Sequence, residues 1–294
     1  MSEVGFEGVF VPNVTPFKDG EIDEKSLRRL IDYVVEQGAT GLVPAGTTGE
    51  CATLSHDEHI RVIEIVVDQV GGRVPVIAGI GTNSTHESIS LTERAEKLDL
   101  QGYLIVGPYY NRPSQEGIIK HFKAVSEATE RPILIYNIPA RTGRNIEVDT
   151  VVGLSRIPNI VGIKDASGDI DQTMSIIART DGFSVLSGED HLFFSICCLG
   201  GRGGILASAH VLPQDFLSLC RATCQGDIEE ARRLHYRLLP LVRTMFKEPN
   251  PAPAKAAMKL LGIIESDELR LPLLSVSAAC REDMAGVLHG LKLL

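Results

Sequence analysis

Short apolar runs recur along most of the chain, spaced far enough apart to hold a helix between neighbours. They are Gly8 to Val11, Gly41 to Pro44, Val74 to Ala78, Tyr103 to Val106, Ile133 to Tyr136, Ile160 to Lys164, Ser184 to Ser187 and Gly204 to Ala207. Glycine, proline or polar residues bound each run, so they read as strands buried on both faces, as parallel sheets require. Helical spacing fills the intervals. Asp23 is an N-cap before Leu27, Leu30, Ile31, Val34 and Val35, with Gly38 as the stop. Ile60, Ile63, Val66, Val67 and Val70 repeat the pattern after Ser55, and further apolar faces follow at Ile89 to Leu98, Ile118 to Val125 and Val151 to Leu154.

Strand and helix alternating eight times predict an α/β protein, a closed TIM (β/α)8 barrel. The rival is a doubly wound open sheet. Eight regular units, and no G-x-G-x-x-G after the first run, favour the barrel. Beyond the eighth strand a helix is expected near Pro213 to Cys224. Three more follow, at Asp227 to Phe246, Ala254 to Leu261 and Ser277 to Leu291. The expected organisation is a catalytic barrel over residues 1–226 and a C-terminal helical appendage over 227–294, joined through EPNPAPAK. The appendage is either a cap on the barrel or an assembly surface.

Composition narrows the function classes. The 294 residues carry a net charge of −9, which disfavours a nucleic-acid partner and otherwise reads as plain solubility. Six cysteines form no C-x-x-C pair. Cys220 and Cys224 are four apart on an expected helix, but no histidine completes a metal set. Reduced thiols in a cytoplasmic compartment are the simpler reading. The start, MSEVGFEGVF, has no basic region or long apolar run, so neither a signal peptide nor a membrane span is expected.

A barrel of this type places its chemistry at the C-terminal strand ends. There the chain supplies Thr47 and Thr48, Tyr109 and Tyr110, Tyr136 and Arg141, Lys164, Glu189 and Asp190, and the glycines of GGRGGI. Lys164 is the most informative. It closes an apolar run, where burial disfavours an ammonium relative to a neutral amine, and neutral amines attack carbonyls to form imines. The alternative is an ion pair with Asp165 or Glu189. Tyr136 closes the adjacent strand and can shuttle protons if partners such as Thr47 and Tyr110 hold its hydroxyl, or it can simply pack. Thr47, Thr48 and Gly49 form a turn whose N–H groups and hydroxyls suit a carboxylate, or an ordinary turn before a helix capped by Ser55. Arg141 suits bidentate carboxylate binding, or is a surface loop charge. The Gly-rich turn is a weak phosphate-cradle signal.

Five segments, GTTGE, PYYNRPSQEG, YNIPARTG, VGIKDASG and NPAPAK, resemble the dihydrodipicolinate synthases (4-hydroxy-tetrahydrodipicolinate synthases) of the N-acetylneuraminate lyase superfamily. The likeness runs in order over essentially the whole chain. It implies that Lys164 forms the Schiff base with pyruvate, and that Tyr136, Thr47 and Tyr110 form a proton relay. It further implies that Thr48 helps hold the pyruvate carboxylate and that Arg141 binds the carboxylate of aspartate semialdehyde. The backbones of Gly188 and Ile205 would line the pyruvate pocket. The resemblance also implies that Tyr110 reaches in from a neighbouring subunit, in a homotetramer of two tight dimers, and that no metal or dissociable cofactor is needed.

A second set, Cys51, Ala52, His56, His59, Asn83, Glu87 and Tyr109, matches the lysine-binding allosteric site of feedback-inhibited members. Glu87 would pair with the ligand's ammonium and Asn83 would hold its carboxylate. Cys51 departs from the serine often found there. The plainer alternative is polar surface near a subunit interface. Two rival functions remain: an aldolase cleaving N-acetylneuraminate or a 2-keto-3-deoxy sugar acid, and a non-catalytic binding barrel. Arg141 speaks against the first, and the full set of Lys164, Tyr136, Thr47, Tyr110 and Arg141 against the second.

Overall fold

A computed structural model describes residues 6–294. Among them are eight parallel strands: β1 (Gly8–Val11), β2 (Gly41–Leu42), β3 (Ile77–Gly79), β4 (Gly102–Val106), β5 (Ile133–Asn137), β6 (Ile160–Asp165), β7 (Ser184–Ser187) and β8 (Gly203–Ile205). Hydrogen-bonded neighbours run β2-β1-β8-β7-β6-β5-β4-β3. Leu42 of β2 also bridges Val76, one residue ahead of β3, so the order returns on itself. This is the (β/α)8 order that the eightfold alternation predicts.

Several strands are shorter or shifted relative to the apolar runs, for local reasons. β2 stops before Pro44 and β3 starts after Pro75, because proline brings no N–H to a ladder. Pro75 still accepts a bond at its carbonyl, from Leu42 N at 3.0 Å. The eighth strand covers Gly203–Ile205 and not Gly204 to Ala207, since Ala207–His210 turns into a 3₁₀ helix. A hairpin of Phe17–Lys18 against Glu21–Ile22, too short to carry a pattern, went unforeseen.

Contacts divide the chain into two compact units: Val9–Val76 with Leu206–Leu294, and Ile77–Ile205 with the segment ending at Gly8. The boundary expected at 226/227 falls inside the first of these. In that unit, helix Glu24–Glu36 buries Leu27, Leu30, Ile31 and Val34, and Asp23 caps it by accepting from Ser26 N. Helix His56–Val70 opens on a capping box between Ser55 and Glu58, which satisfies two otherwise unpaired N–H groups. The C-terminal helices Ile228–Met245, Ala252–Leu260 and Ala278–Gly290 lie close to their expected bounds. Ala252, Ala256, Leu269, Val276 and Cys280 form a small apolar cluster there. The second unit carries β3 to β8, whose interior includes Tyr103, Ile105, Leu134, Ile163 and Leu186. All six cysteines are free thiols. Among the described residues no helix is long and apolar enough to cross a membrane.

Candidate active site

Side chains alternate along a strand, and β6 uses that alternation to separate two charges. Asp165 turns to one side, where its carboxylate accepts from Asn137 Nδ2 (3.1 Å), Ser167 N (3.2 Å), Ser167 Oγ (3.0 Å) and Thr173 Oγ1 (2.7 Å). Lys164 turns to the other. Its register partner on β5 is Tyr136, and its Nζ lies 4.0 Å from the centre of that ring. Both side chains are 6% exposed. Among the described residues Lys164 makes no ion pair. Asp165, the nearest carboxylate in sequence, is occupied by four other donors. Glu189 lies 3.5 Å from His191 Nδ1, and burial raises its carboxyl above the usual range. The ion-pair alternative for Lys164 therefore has no partner in this unit.

Space beside Lys164 depends on Gly188. A Cβ built there would stand 2.8 Å from the Ala166 Cβ and 3.0 Å from the Lys164 Cε, so a side chain would push on the lysine stem. Gly188 N donates to Asp165 O at 2.7 Å, tying the end of β7 to that of β6. Ile205 ends β8 and is 1% exposed. Arg141 lies in the short helix Pro139–Thr142, closed by Gly143 in the left-handed region, and its exposed guanidinium makes no ion pair among the described residues. Tyr110 stands apart: its side chain is 89% exposed and its backbone has φ of +70°, uncommon for a residue with a Cβ. Arg112 in the same loop has φ of +46°, and its Nε donates to Gly143 O at 2.9 Å.

Thr47 and Thr48 belong to the other unit, in the turn that follows β2. Thr47 is half-buried. Thr48 is buried, and its hydroxyl accepts from Asn250 Nδ2 at 3.0 Å. Glu50, two residues on, ion-pairs with Lys255, both fully out of solvent. Neither Asn250 nor Lys255 stood out in the sequence beyond the NPAPAK likeness. Proline-rich composition made the segment look like a linker, and nothing in GTTGE marked Glu50 as a carboxylate that would be buried against a cation.

The second residue set is likewise divided. Cys51 and Ala52 lie in the 3₁₀ turn Cys51–Thr53, His56 begins the following helix on an exposed face, and His59 is buried. In the other unit Glu87 lies in the first turn of helix Thr85–Ala95, and Asn83 O accepts from Asn111 Nδ2 at 2.8 Å, beside the exposed Tyr109. Among the described residues no group of three His, Cys, Asp or Glu side chains is placed to hold a metal ion.

A family model described as the dihydrodipicolinate synthetase family matches residues 5–290. A 4-hydroxy-tetrahydrodipicolinate synthase from Syntrophobacter fumaroxidans is 50% identical, covering 94% of this chain and 95% of that protein. The crystal structure of dihydrodipicolinate synthase from Aquifex aeolicus superposes with a TM-score of 0.95 at 42% identity, over 98% of this chain and 99% of that one. A synthase from Cyanidioschyzon merolae, solved with lysine bound, gives 0.95 at 38% identity, over 98% and 99%.

Proposed function

The chain belongs to the dihydrodipicolinate synthetase family, a lyase of class I aldolase type, and from that premise we propose that it condenses pyruvate with L-aspartate 4-semialdehyde to give 4-hydroxy-tetrahydrodipicolinate, the first committed step towards diaminopimelate and lysine. The observation that carries this reading is the state of Lys164: a buried amine at a strand end, over an aromatic ring, with its neighbouring carboxylate bound elsewhere. A buried amine without a counter-charge is poised as a nucleophile.

Lys164 Nζ attacks the keto carbon of pyruvate and water leaves, forming an iminium. The iminium draws electrons from the methyl carbon, which loses a proton and becomes the nucleophilic end of an enamine. That carbon adds to the aldehyde carbon of the second substrate, and the resulting alkoxide takes a proton. The substrate's own amine then attacks the imine carbon and displaces Lys164, closing the ring and restoring the enzyme. Tyr136, with Thr47 and Tyr110, is assigned the proton transfers. Thr48 and the backbones of Gly188 and Ile205 are assigned to pyruvate, and Arg141 to the semialdehyde carboxylate, for which an unpaired guanidinium is suited. No metal or dissociable cofactor enters these steps.

A tyrosine that is 89% exposed on a strained backbone makes chemical sense if a second subunit receives it. The proposed assembly is a homotetramer of two tight dimers, working in the cytoplasm. L-lysine is the proposed feedback inhibitor, through Cys51, Ala52, His56, His59, Asn83, Glu87 and Tyr109, and activity unchanged by millimolar L-lysine would contradict that. The function itself is tested by supplying pyruvate with aspartate semialdehyde, and separately with N-acetylneuraminate or 2-keto-3-deoxy sugar acids. Condensation in the first assay is expected. Release of pyruvate from a sugar acid, with no condensation, would overturn the assignment.

A further inference from the structure

The turn that carries Thr47 and Thr48 is bracketed by two non-glycine residues with left-handed backbone, Ala45 at φ +53° and Glu50 at φ +56°. Such residues persist only where their surroundings fix them. Part of that fixing is local. Thr15 Oγ1 donates to Gly49 O at 2.8 Å, and Gly49 is packed so closely that a Cβ would meet Ala45 N at 3.1 Å and Asn13 O at 3.2 Å. The rest comes from the far end of the chain.

Asn250 Nδ2 donates to Thr48 Oγ1, and Lys255 pairs with the Glu50 carboxylate. Lys255 has little freedom of its own. Its Nζ also donates to Glu268 O at 2.7 Å and lies 4.3 Å from the centre of the Phe17 ring. The second carboxylate oxygen of Glu50 accepts from Arg270 N at 3.2 Å. The turn is therefore gripped at two side chains, one on each side of Gly49.

We propose that Asn250 and Lys255 are positioning residues for this turn, Asn250 acting through Thr48 and Lys255 through Glu50. The Asn250 bond also sets the polarity of Thr48. A hydroxyl that accepts from an amide N–H directs its own proton elsewhere, so Thr48 presents a donor, which is what an anionic ligand requires. The C-terminal segment thus shapes the carboxylate-binding turn without touching substrate. This rests on the reading of Thr48 as a pyruvate carboxylate contact.

The test is a double-mutant cycle read by borohydride trapping of pyruvate on Lys164 in the full-length protein, as a function of pyruvate concentration. N250A and T48V should each raise the half-saturating pyruvate concentration roughly tenfold or more, the size of one hydrogen bond to a charged group. In N250A the maximal adduct should be unchanged. If Asn250 acts through Thr48, the N250A/T48V protein will be no worse than T48V alone. The E50Q/K255M pair leaves no buried charge behind and should fold, yet show a similar rise. Additive effects in the cycle, or wild-type half-saturation in N250A or in E50Q/K255M, would overturn the proposal while the wild-type adduct leaves the catalytic reading standing. No adduct in the wild type would overturn both.

Discussion

Lys164 and Lys255 are both withdrawn from solvent, at 6% and 0% exposure, and both hold Nζ about as close to an aromatic ring, 4.0 Å from Tyr136 and 4.3 Å from Phe17. They differ in what neutralises them. Lys255 has Glu50 and a backbone carbonyl. Burial pulls its pKa below the ordinary value, and Glu50 is the largest influence in the opposite direction. Among the described residues Lys164 makes no ion pair, and Asp165 on the same strand faces away into four hydrogen bonds. A buried ammonium needs a partner, so the paired lysine is a structural charge and the unpaired one is available for chemistry. The comparison shows how little separates the two uses: one carboxylate, pointed inwards or outwards by the alternation of a strand.

Substitutions at the two positions should have opposite consequences. K164M is expected to lower condensation activity by about 10⁴-fold or more, as loss of a covalent nucleophile does, while melting close to the wild type or above it. Loss of stability without loss of activity would erase the distinction. K255M should instead act first on stability, costing about 3–5 kcal/mol because Glu50 is left buried and unpaired, while the pyruvate adduct still forms on Lys164 at high pyruvate. Denaturant unfolding measures it, and the E50Q/K255M pair should recover much of the loss.

Each unit also holds a buried histidine that burial keeps neutral, His121 in one and His210 in the other, which lets acid compare them. Burial lowers His121 to about 4 and His210 to about 4. His210 accepts from Val14 N at 3.1 Å and meets Ala207 O at 2.7 Å, while His121 Nδ1 meets Thr85 Oγ1 at 3.0 Å. An unfolded histidine takes up a proton below about 6.5, which the folded one refuses until about pH 4, so stability is full above that window and falls through it as pH drops. The expected loss is roughly 3 kcal/mol per histidine. Replacing His121 by phenylalanine should flatten the stability-versus-pH curve by about one proton; an unchanged slope would mean that His121 is not held neutral.

The smallest effect concerns the lysine stem alone. G188A would crowd the Lys164 Cε, and overpacking of this kind costs about 1–3 kcal/mol. Activity is expected to fall by more than stability predicts, and equal losses in both would mean the crowding is relieved elsewhere.

Much of this was legible in the sequence, for definite reasons. Strands buried on both faces and helices with one apolar face leave strong periodic signals, so the barrel order, the caps at Asp23 and Ser55, and Lys164 at a strand end could all be read. What escaped was non-local or too short. No period links Glu50 to Lys255 or Thr48 to Asn250, because those contacts join opposite ends of the chain. The orientation of Asp165 depended on donors from Asn137 and Thr173, on two other elements. Tyr110 was expected to serve another subunit by resemblance alone, and its exposure and backbone strain became visible only in three dimensions.

The unpaired lysine, and not the paired one, is expected to carry the chemistry. Treating the protein with pyruvate and borohydride, then locating the added mass by peptide mapping, tests it directly. One stable adduct per chain is expected, on Lys164, absent without pyruvate and absent in K164M. An adduct on Lys255 or elsewhere, or no adduct at saturating pyruvate, would contradict it.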